Sequence, residues 1–206
     1  MSELIISIDI GKKNLGFTTA KSRNGFKSLE EIDFEFGLFN VDELLSTSES
    51  VVPQRARILA TWLHELIAGS SLKAVVIEEQ VNSNTIAMAI MYCLCGILTN
   101  LTPTIAIFPP RLKFTKIKQP FSSTSKKHKR LSVENASVIA THLSPSSSSN
   151  LLEGLRSRSK KDDIADSFNQ LIIWLIDNHL VSLSFENLRN WLNLDSPSSI
   201  DPIHLL

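Results

Sequence analysis

The sequence predicts an α/β fold: a mixed five-stranded sheet flanked by helices. Three observations carry that reading. The N-terminal part holds three strand-like runs in succession before any helical period, as an antiparallel meander would. Downstream, short apolar strands alternate with helical patterns. The chain has 206 residues, 43% of them hydrophobic, which suits one core built around such a sheet and leaves no room for two large domains. Residues 1–206 are therefore expected to form a single domain, with 181–206 a C-terminal helical appendage. No internal repeat is visible.

The elements follow in order. Residues 4–10 are β-rich and end at Gly11, Lys12, Lys13 and Asn14 supply a turn, and residues 15–19 return as the second arm of a hairpin. Ile32, Phe34, Phe36 and Leu38 recur at period two and mark a third strand within 32–39. Pro53 opens a helical pattern through Ile58, Leu59, Trp62, Leu63, Leu66 and Ile67, which Gly69 closes. Residues 72–77 form a short apolar strand ending at Glu78, Glu79 and Gln80. Asn84 caps a helix running to about residue 98, and residues 104–108 make a strand stopped by Pro109 and Pro110. A basic loop over 111–130 follows, with a Ser/Thr stretch at 122–125. Residues 131–143 are helical by period, and 144–150 read as a Ser-rich linker. Residues 163–180 make an amphipathic helix with Ile164, Phe168, Leu171, Ile172 and Leu175 on one side. The tail over 182–206, with Phe185, Leu188, Trp191 and Leu192, is read as a terminal helix.

Composition excludes a disordered, collagen-like or disulfide-stapled chain. Cys93 and Cys95 stand at i and i+2 in a helical pattern and point apart, so neither a disulfide nor a zinc site follows. The longest apolar stretch, 85–98, is near the lower limit for a bilayer span and carries polar interruptions; it reads as a buried helix, and no membrane partner is expected. The N-terminus enters a strand at once, leaving no space for a signal or transit peptide. His64, His142, His179 and His204 are scattered without ligand spacing. Lys and Arg total 21, matched by 21 Asp and Glu, a balance that argues against nucleic acid. The distribution argues the other way. Residues 111–161 carry twelve Lys and Arg against Glu134 and Glu153, a local excess of ten, and the remainder carries an equal deficit.

Four carboxylates stand where a core-building sequence would not put them. Asp9 interrupts an apolar strand, and a charge there costs several kcal/mol unless it is paired or metal-bound. An Asp before Gly can also simply cap a turn. Glu78 ends the apolar strand 72–77 in the same way. Asp163 and Asp166 are one helical turn apart at the start of an amphipathic helix and share a face, although acids in a first turn are common for dipole reasons alone. Two strand-borne acids with a helix-borne pair make the set of hard oxygen ligands that a two-metal phosphodiester site requires, for Mg²⁺ or Mn²⁺.

These residues also carry a resemblance. Residues 6–16 (Ile-Ser-Ile-Asp-Ile-Gly-Lys-Lys-Asn-Leu-Gly), 76–80 (Val-Ile-Glu-Glu-Gln) and 160–167 (Lys-Lys-Asp-Asp-Ile-Ala-Asp-Ser) resemble the three catalytic motifs of the RuvC-like Holliday junction resolvases. Similarity is greatest to the catalytic domain of the fungal mitochondrial enzymes, with poxvirus resolvases and bacterial RuvC further off. The resemblance implies an RNase H-like fold and a homodimeric, metal-dependent endonuclease that nicks two strands of a four-way DNA junction symmetrically, in recombination or mitochondrial DNA maintenance. It implies Asp9, Glu78, Asp163 and Asp166 as catalytic ligands of two Mg²⁺ or Mn²⁺ ions. One ion would generate the attacking nucleophile and the other stabilise the leaving 3′-oxygen. Glu79 is an alternative to Glu78, but Glu78 directly follows the apolar run. Asp162 is an alternative to Asp163, although the family's D-x-x-D spacing favours Asp163. The resemblance allows a lysine near the scissile phosphate, with Lys113 first and Lys116 second; the same residues also read as solvated members of a basic loop.

Lys126, Lys127, Lys129 and Arg130, with the preceding hydroxyls, are expected to meet DNA phosphates, joined by Lys12, Lys13, Asn14, Lys113, Lys160 and Lys161. The helix 84–98, apolar nearly all round, reads as core, and the resemblance assigns it to the dimer interface. A mitochondrial location rests on the resemblance. Other RNase H-like nucleases acting on RNA–DNA hybrids or in transposition would share the four acids, and a non-catalytic junction-binding protein would not need them. An actin-like ATPase, suggested by Asp9-Ile10-Gly11, would need a longer, duplicated chain.

Overall fold

The computed structural model describes residues 1–11, 14–44, 51–81, 83–119, 125–157 and 161–194. Strands β1 (Ser2–Ile10) and β2 (Asn14–Ser22) form the expected hairpin, and β3 (Asp33–Asn40) extends it antiparallel. Helix α1 (Val51–Ile67) then carries the chain to β4 (Ser70–Glu78), and α2 (Thr85–Leu98) to β5 (Ile105–Phe108). Both strands run parallel to β1, giving a sheet of order β3-β2-β1-β4-β5 with β1 at its centre. Then come α3 (Leu112–Thr115), α4 (Ser125–Ala140), α5 (Pro145–Ser157), α6 (Lys161–Asp177) and α7 (Phe185–Trp191). Among the described residues, no helix is long and apolar enough to cross a membrane.

Each strand feeds two cores through its period-two alternation. Leu4, Ile6, Ile8 and Ile10 of β1, with Val75 and Ile77 of β4, face α1 and α2, where Leu59, Trp62, Leu63, Ile90 and Leu94 cover them. Ile5, Ala74, Val76 and Phe34 face the opposite layer, built on Ile164, Phe168, Leu171 and Ile172 of α6 and on buried residues of α4 and α5. Cys93 and Cys95 are free thiols, as their spacing demands.

Two expectations are corrected. Residues 144–150 are not a linker: the segment opens α5, with Pro145 at its first position and the Ser144 hydroxyl accepting from the Ser147 amide. Ser147, Leu151 and Leu155 recur every fourth residue and are buried; Ser147 Oγ accepts from the amide of Phe34 in β3 at 3.1 Å. Serine-rich composition hid that stripe. The basic loop over 111–130 is likewise interrupted. Phe114 and Ile117 are buried and anchor α3, and α4 begins at Ser125, so Lys126 to Arg130 sit on a helix. Lys and Arg are good helix formers, and a solvent-facing turn shows no apolar period.

Helix α6 is seated on the sheet by polar contacts as well as apolar ones. Gln170 Nε2 donates to Ser7 Oγ and to the Val76 carbonyl, both at 3.1 Å, bridging β1 and β4. Thr18 of β2 and Ser167 share a hydrogen bond of 2.9 Å between buried hydroxyls. The N-terminal turn of α6 rests on Gly16, where a Cβ would lie 2.2 Å from the Asp163 carbonyl oxygen. A backbone atom cannot swing aside, so only glycine admits the helix at this depth, and Gly16 is the β2 partner of Asp9. Replacing Gly16 with Ala should therefore destabilise the protein by about 1–3 kcal/mol, a Tm loss of roughly 4–10 °C. A thermal melt of the purified variant checks this; an unshifted melt would refute the close-packing account.

Candidate active site

Strand parity sets the acids. Asp9 is in step with Ile5 and Ser7, and Glu78 with Ala74 and Val76, so both face the α6 layer. The parallel register pairs Ile8 with Ile77, which leaves the next residues, Asp9 and Glu78, side by side at the carboxyl ends of β1 and β4. Open α/β sheets place their ligand sites at such strand ends. Glu79 is exposed and points out of the cluster, while Glu78 is turned inward.

The two carboxyls are hydrogen-bonded to each other. Burial, then the neighbouring Glu78 charge, pushes Asp9 well above the usual carboxylate range. Burial works against Glu78 as well, but the Lys113 charge and hydrogen bonds from Asp9, Lys113 and Gln80 hold it below its ordinary value.

Lys113 makes this arrangement possible. Its ammonium reaches from α3 to Glu78 Oε1 at 2.7 Å and Asp166 Oδ1 at 2.9 Å, with the side chain only 4% exposed. Burial would strip its proton, yet Asp166, Glu78 and Asp9 together raise its pKa, and it remains a cation. Three supports aim it. Phe114 and Ile117 are buried on either side of the turn, and the Gln119 and Asn135 amides exchange hydrogen bonds of 3.3 and 2.8 Å, tying the segment to α4.

Asp163 stands on the same first turns of α6, half-buried, with its backbone over Gly16 beside Asp9. Asp162 is ion-paired with Lys129 of α4. That hydrogen bond raises the Lys129 pKa, and the charges of Asp163 and Asp166 add to it, so Lys129 lies within the field of the acids. Lys116 is not brought here: it pairs with Asp177 at the far end of α6, at 2.5 Å. Lys126, Lys127, Lys129 and Arg130 are exposed along the first turns of α4, and Lys161 is exposed at the start of α6. Asn14 is half-buried, its carbonyl accepting from the Gly11 amide across the hairpin turn at 2.9 Å. Lys12, Lys13 and Lys160 lie outside the described residues.

The donors fit a hard divalent cation, being carboxylate oxygens set at two strand ends and one helix start. Among the described residues, no three His, Cys, Asp or Glu groups are drawn together as a formed cage. The Lys113 ammonium stands between Glu78 and Asp166.

Comparison with known proteins decides the family. A family model described as "Poxvirus A22 protein" matches residues 3–178. The chain belongs to the poxvirus A22 family. No curated protein sequence matches it. Among solved structures, this A22-family chain is similar to the yeast mitochondrial Holliday junction resolvase, with 15% identity, 93% of this chain and 85% of that one covered, and a TM-score of 0.58. It is similar to the fowlpox virus resolvase solved with substrate Holliday junction DNA, with 18% identity, 85% and 98% covered, and a TM-score of 0.61. It is also similar to Thermus thermophilus RuvC, with 12% identity, 85% and 96% covered, and a TM-score of 0.52. The resemblance to RuvC-like resolvases and the RNase H-like fold it implied are thus borne out.

Sequence reading missed the residues behind the acids. Ser132 donates to Asp166 Oδ1 at 2.7 Å, and Asn169 and Gln170 are buried polar groups in the apolar stretch of α6. Two consecutive amides between Phe168 and Leu171 were the available signal, since a core helix rarely buries them without a partner.

Because Lys113 is the counter-charge for Glu78 and Asp166, Lys113→Met should cost the metal-free protein about 3 kcal/mol, a Tm loss of roughly 10 °C at neutral pH. The deficit should shrink on acidification as Glu78, which the Lys113 charge holds below its ordinary pKa, takes up a proton. Melts across a pH series check it, and an equal deficit at every pH would count against the counter-charge role.

Proposed function

We propose that this A22-family chain is a structure-specific, divalent-metal-dependent endonuclease that resolves four-way (Holliday) DNA junctions by symmetric paired nicks. The observation that carries this is the burial of Asp9 and Glu78 at adjoining strand ends under the start of α6, with Asp166 and Lys113 joined to them. Charged groups are kept at such depth when they have chemistry to do.

Asp9, Glu78, Asp163 and Asp166 are the ligands we assign, for two Mg²⁺ or Mn²⁺ ions. Bound there, the ions would supply Lewis-acid chemistry to the scissile phosphate and to an attacking water. The chain's own part is positional. Asp9 and Glu78 are fixed by the sheet, and Asp163 and Asp166 by the helix seated on Gly16, so the two halves of the ligand set meet at one depth. A cation bound beside Asp9 would favour its ionised form and so offset the burial that raises its pKa in the metal-free protein. Lys113 keeps its charge at working pH, and a phosphate oxygen approaching Glu78 and Asp166 meets it as a donor.

DNA would lie across the exposed cations Lys126, Lys127, Lys129, Arg130 and Lys161, flanked by Asn14, and we add Lys12, Lys13 and Lys160 from the sequence pattern. These neutralise phosphates regardless of sequence, so affinity should fall steeply with salt. Two-fold cutting needs two active sites. We assign the dimer contact to the outer face of α2, where Ile86 and Tyr92 are 42% and 62% exposed and a Cβ at Gly96 would meet nothing. Likeness to the yeast mitochondrial resolvase leads us to place the activity in mitochondrial DNA maintenance.

Asp9→Asn places an amide beside Glu78 and removes the ionisable ligand. It should bind four-way junctions like the parent but cut them in Mg²⁺ at least about a hundredfold more slowly. The assay should compare junctions, forks, duplexes and RNA–DNA hybrids; preferential cutting of duplex or hybrid by the parent protein would sink the resolvase reading. Separately, Tyr92→Glu should shift the protein to monomer in sedimentation and leave single, unpaired nicks. A variant that stays dimeric would move the interface elsewhere.

A further inference from the structure

Behind Asp166 lies a short polar chain that none of the proposed chemistry uses. Ser132 of α4 is fully buried and Asn169 of α6 is 4% exposed. The Asn169 amide nitrogen donates to both the hydroxyl and the carbonyl of Ser132, at 2.9 and 2.8 Å. A serine hydroxyl has one proton. With the amide donating into its oxygen, that proton is directed to Asp166 Oδ1, 2.7 Å away. Asn169 follows Asp166 by three residues on α6, so Ser132 is inserted between two groups on one helix face. Turning the amide the other way would set its oxygen against the Ser132 carbonyl. The Asn169 oxygen is in turn buried without a partner among the described residues. A core that needed only to be filled would use Ala and Leu here and avoid that orphan.

We infer that Ser132, oriented by Asn169, is a positioning residue that fixes the rotamer of Asp166 for cation binding. Lys113 and Ser132 meet the same oxygen, Oδ1, from α3 and α4 respectively, so the carboxylate is pinned from two elements. The inference rests on the ligand assignment proposed above. Ser132 lies two residues past Arg130, on the helix whose exposed turns we assign to DNA, so the element that touches substrate also orients a ligand.

Ser132→Ala removes the hydroxyl and leaves the backbone carbonyl to receive the Asn169 amide. The variant should melt within about 2 °C of the parent. Calorimetric titration with Mn²⁺ in the absence of DNA should show cation affinity weakened about tenfold to a hundredfold, and kcat on four-way junctions should fall by a similar factor with KM unchanged. Ser132→Thr, which restores a hydroxyl, should recover most of both. Mn²⁺ affinity within twofold of the parent in Ser132→Ala would overturn the inference, and so would a loss that merely follows a large drop in Tm. If the parent protein cuts no junction yet binds Mn²⁺, and Ser132→Ala weakens that binding, the substrate assignment has failed and the positioning role stands.

Discussion

A carboxylate taken out of water needs a counter-charge, and in this molecule one lysine provides it for two acids. The Lys113 ammonium lies within hydrogen-bonding reach of Glu78 and Asp166, in a setting where its own burial would otherwise remove its proton. Much of the architecture serves to put it there. The α3 segment is held by Phe114, Ile117 and the amide pair Gln119–Asn135, and that pair fastens it to α4. Helix α4 packs on α6, which carries Asp166, while Glu78 comes from the end of β4. With the lysine bridging those two acids, a cluster of carboxylates becomes compatible with a folded core.

The two faces of the sheet have been given different work. On the α1 and α2 side, aliphatic and aromatic side chains fill the layer, with Trp62 packed against Phe17 and Phe39. On the α6 side, polar groups mix with apolar ones: Ser7, Thr18, Ser167, Asn169 and Gln170 are all buried there. Gln170 ties the middle of α6 to β1 and β4, and Gly16 lets its first turn come down beside Asp9. A helix located at both points has little freedom to slide, so the acids it carries keep their distance from the strand-borne pair.

What could be read in advance depended on whether a residue's neighbours along the chain express its environment. The hairpin, the apolar strands, α2 and α6 were legible because alternation and helical period are local. Asp9 and Glu78 stood out because each breaks or ends an apolar run. Residues 144–150 were misread because serine composition masked the four-residue stripe that buries Ser147, Leu151 and Leu155. The turns around Lys126 to Arg130 were read as loop because an exposed helical turn has no apolar period to show. Lys113 was placed ahead of Lys116 only as a candidate within one basic run. Only the fold sends the first into the acids and the second to Asp177.

The succession of strands along the chain, the α/β class, and the split between a basic segment and an acidic remainder came from the sequence by itself, because they rest on side-chain type and short-range spacing; the preference for Glu78 and Asp163 over their neighbours rested on the family resemblance. The tertiary structure alone decided that the lysine stands between Glu78 and Asp166, that Asp9 and Glu78 lie side by side in a buried setting, and that Ser132 and Asn169 stand behind Asp166. Each of those facts is a meeting of residues far apart in the chain, and its energy depends on burial and on distances of about 3 Å that no local pattern encodes.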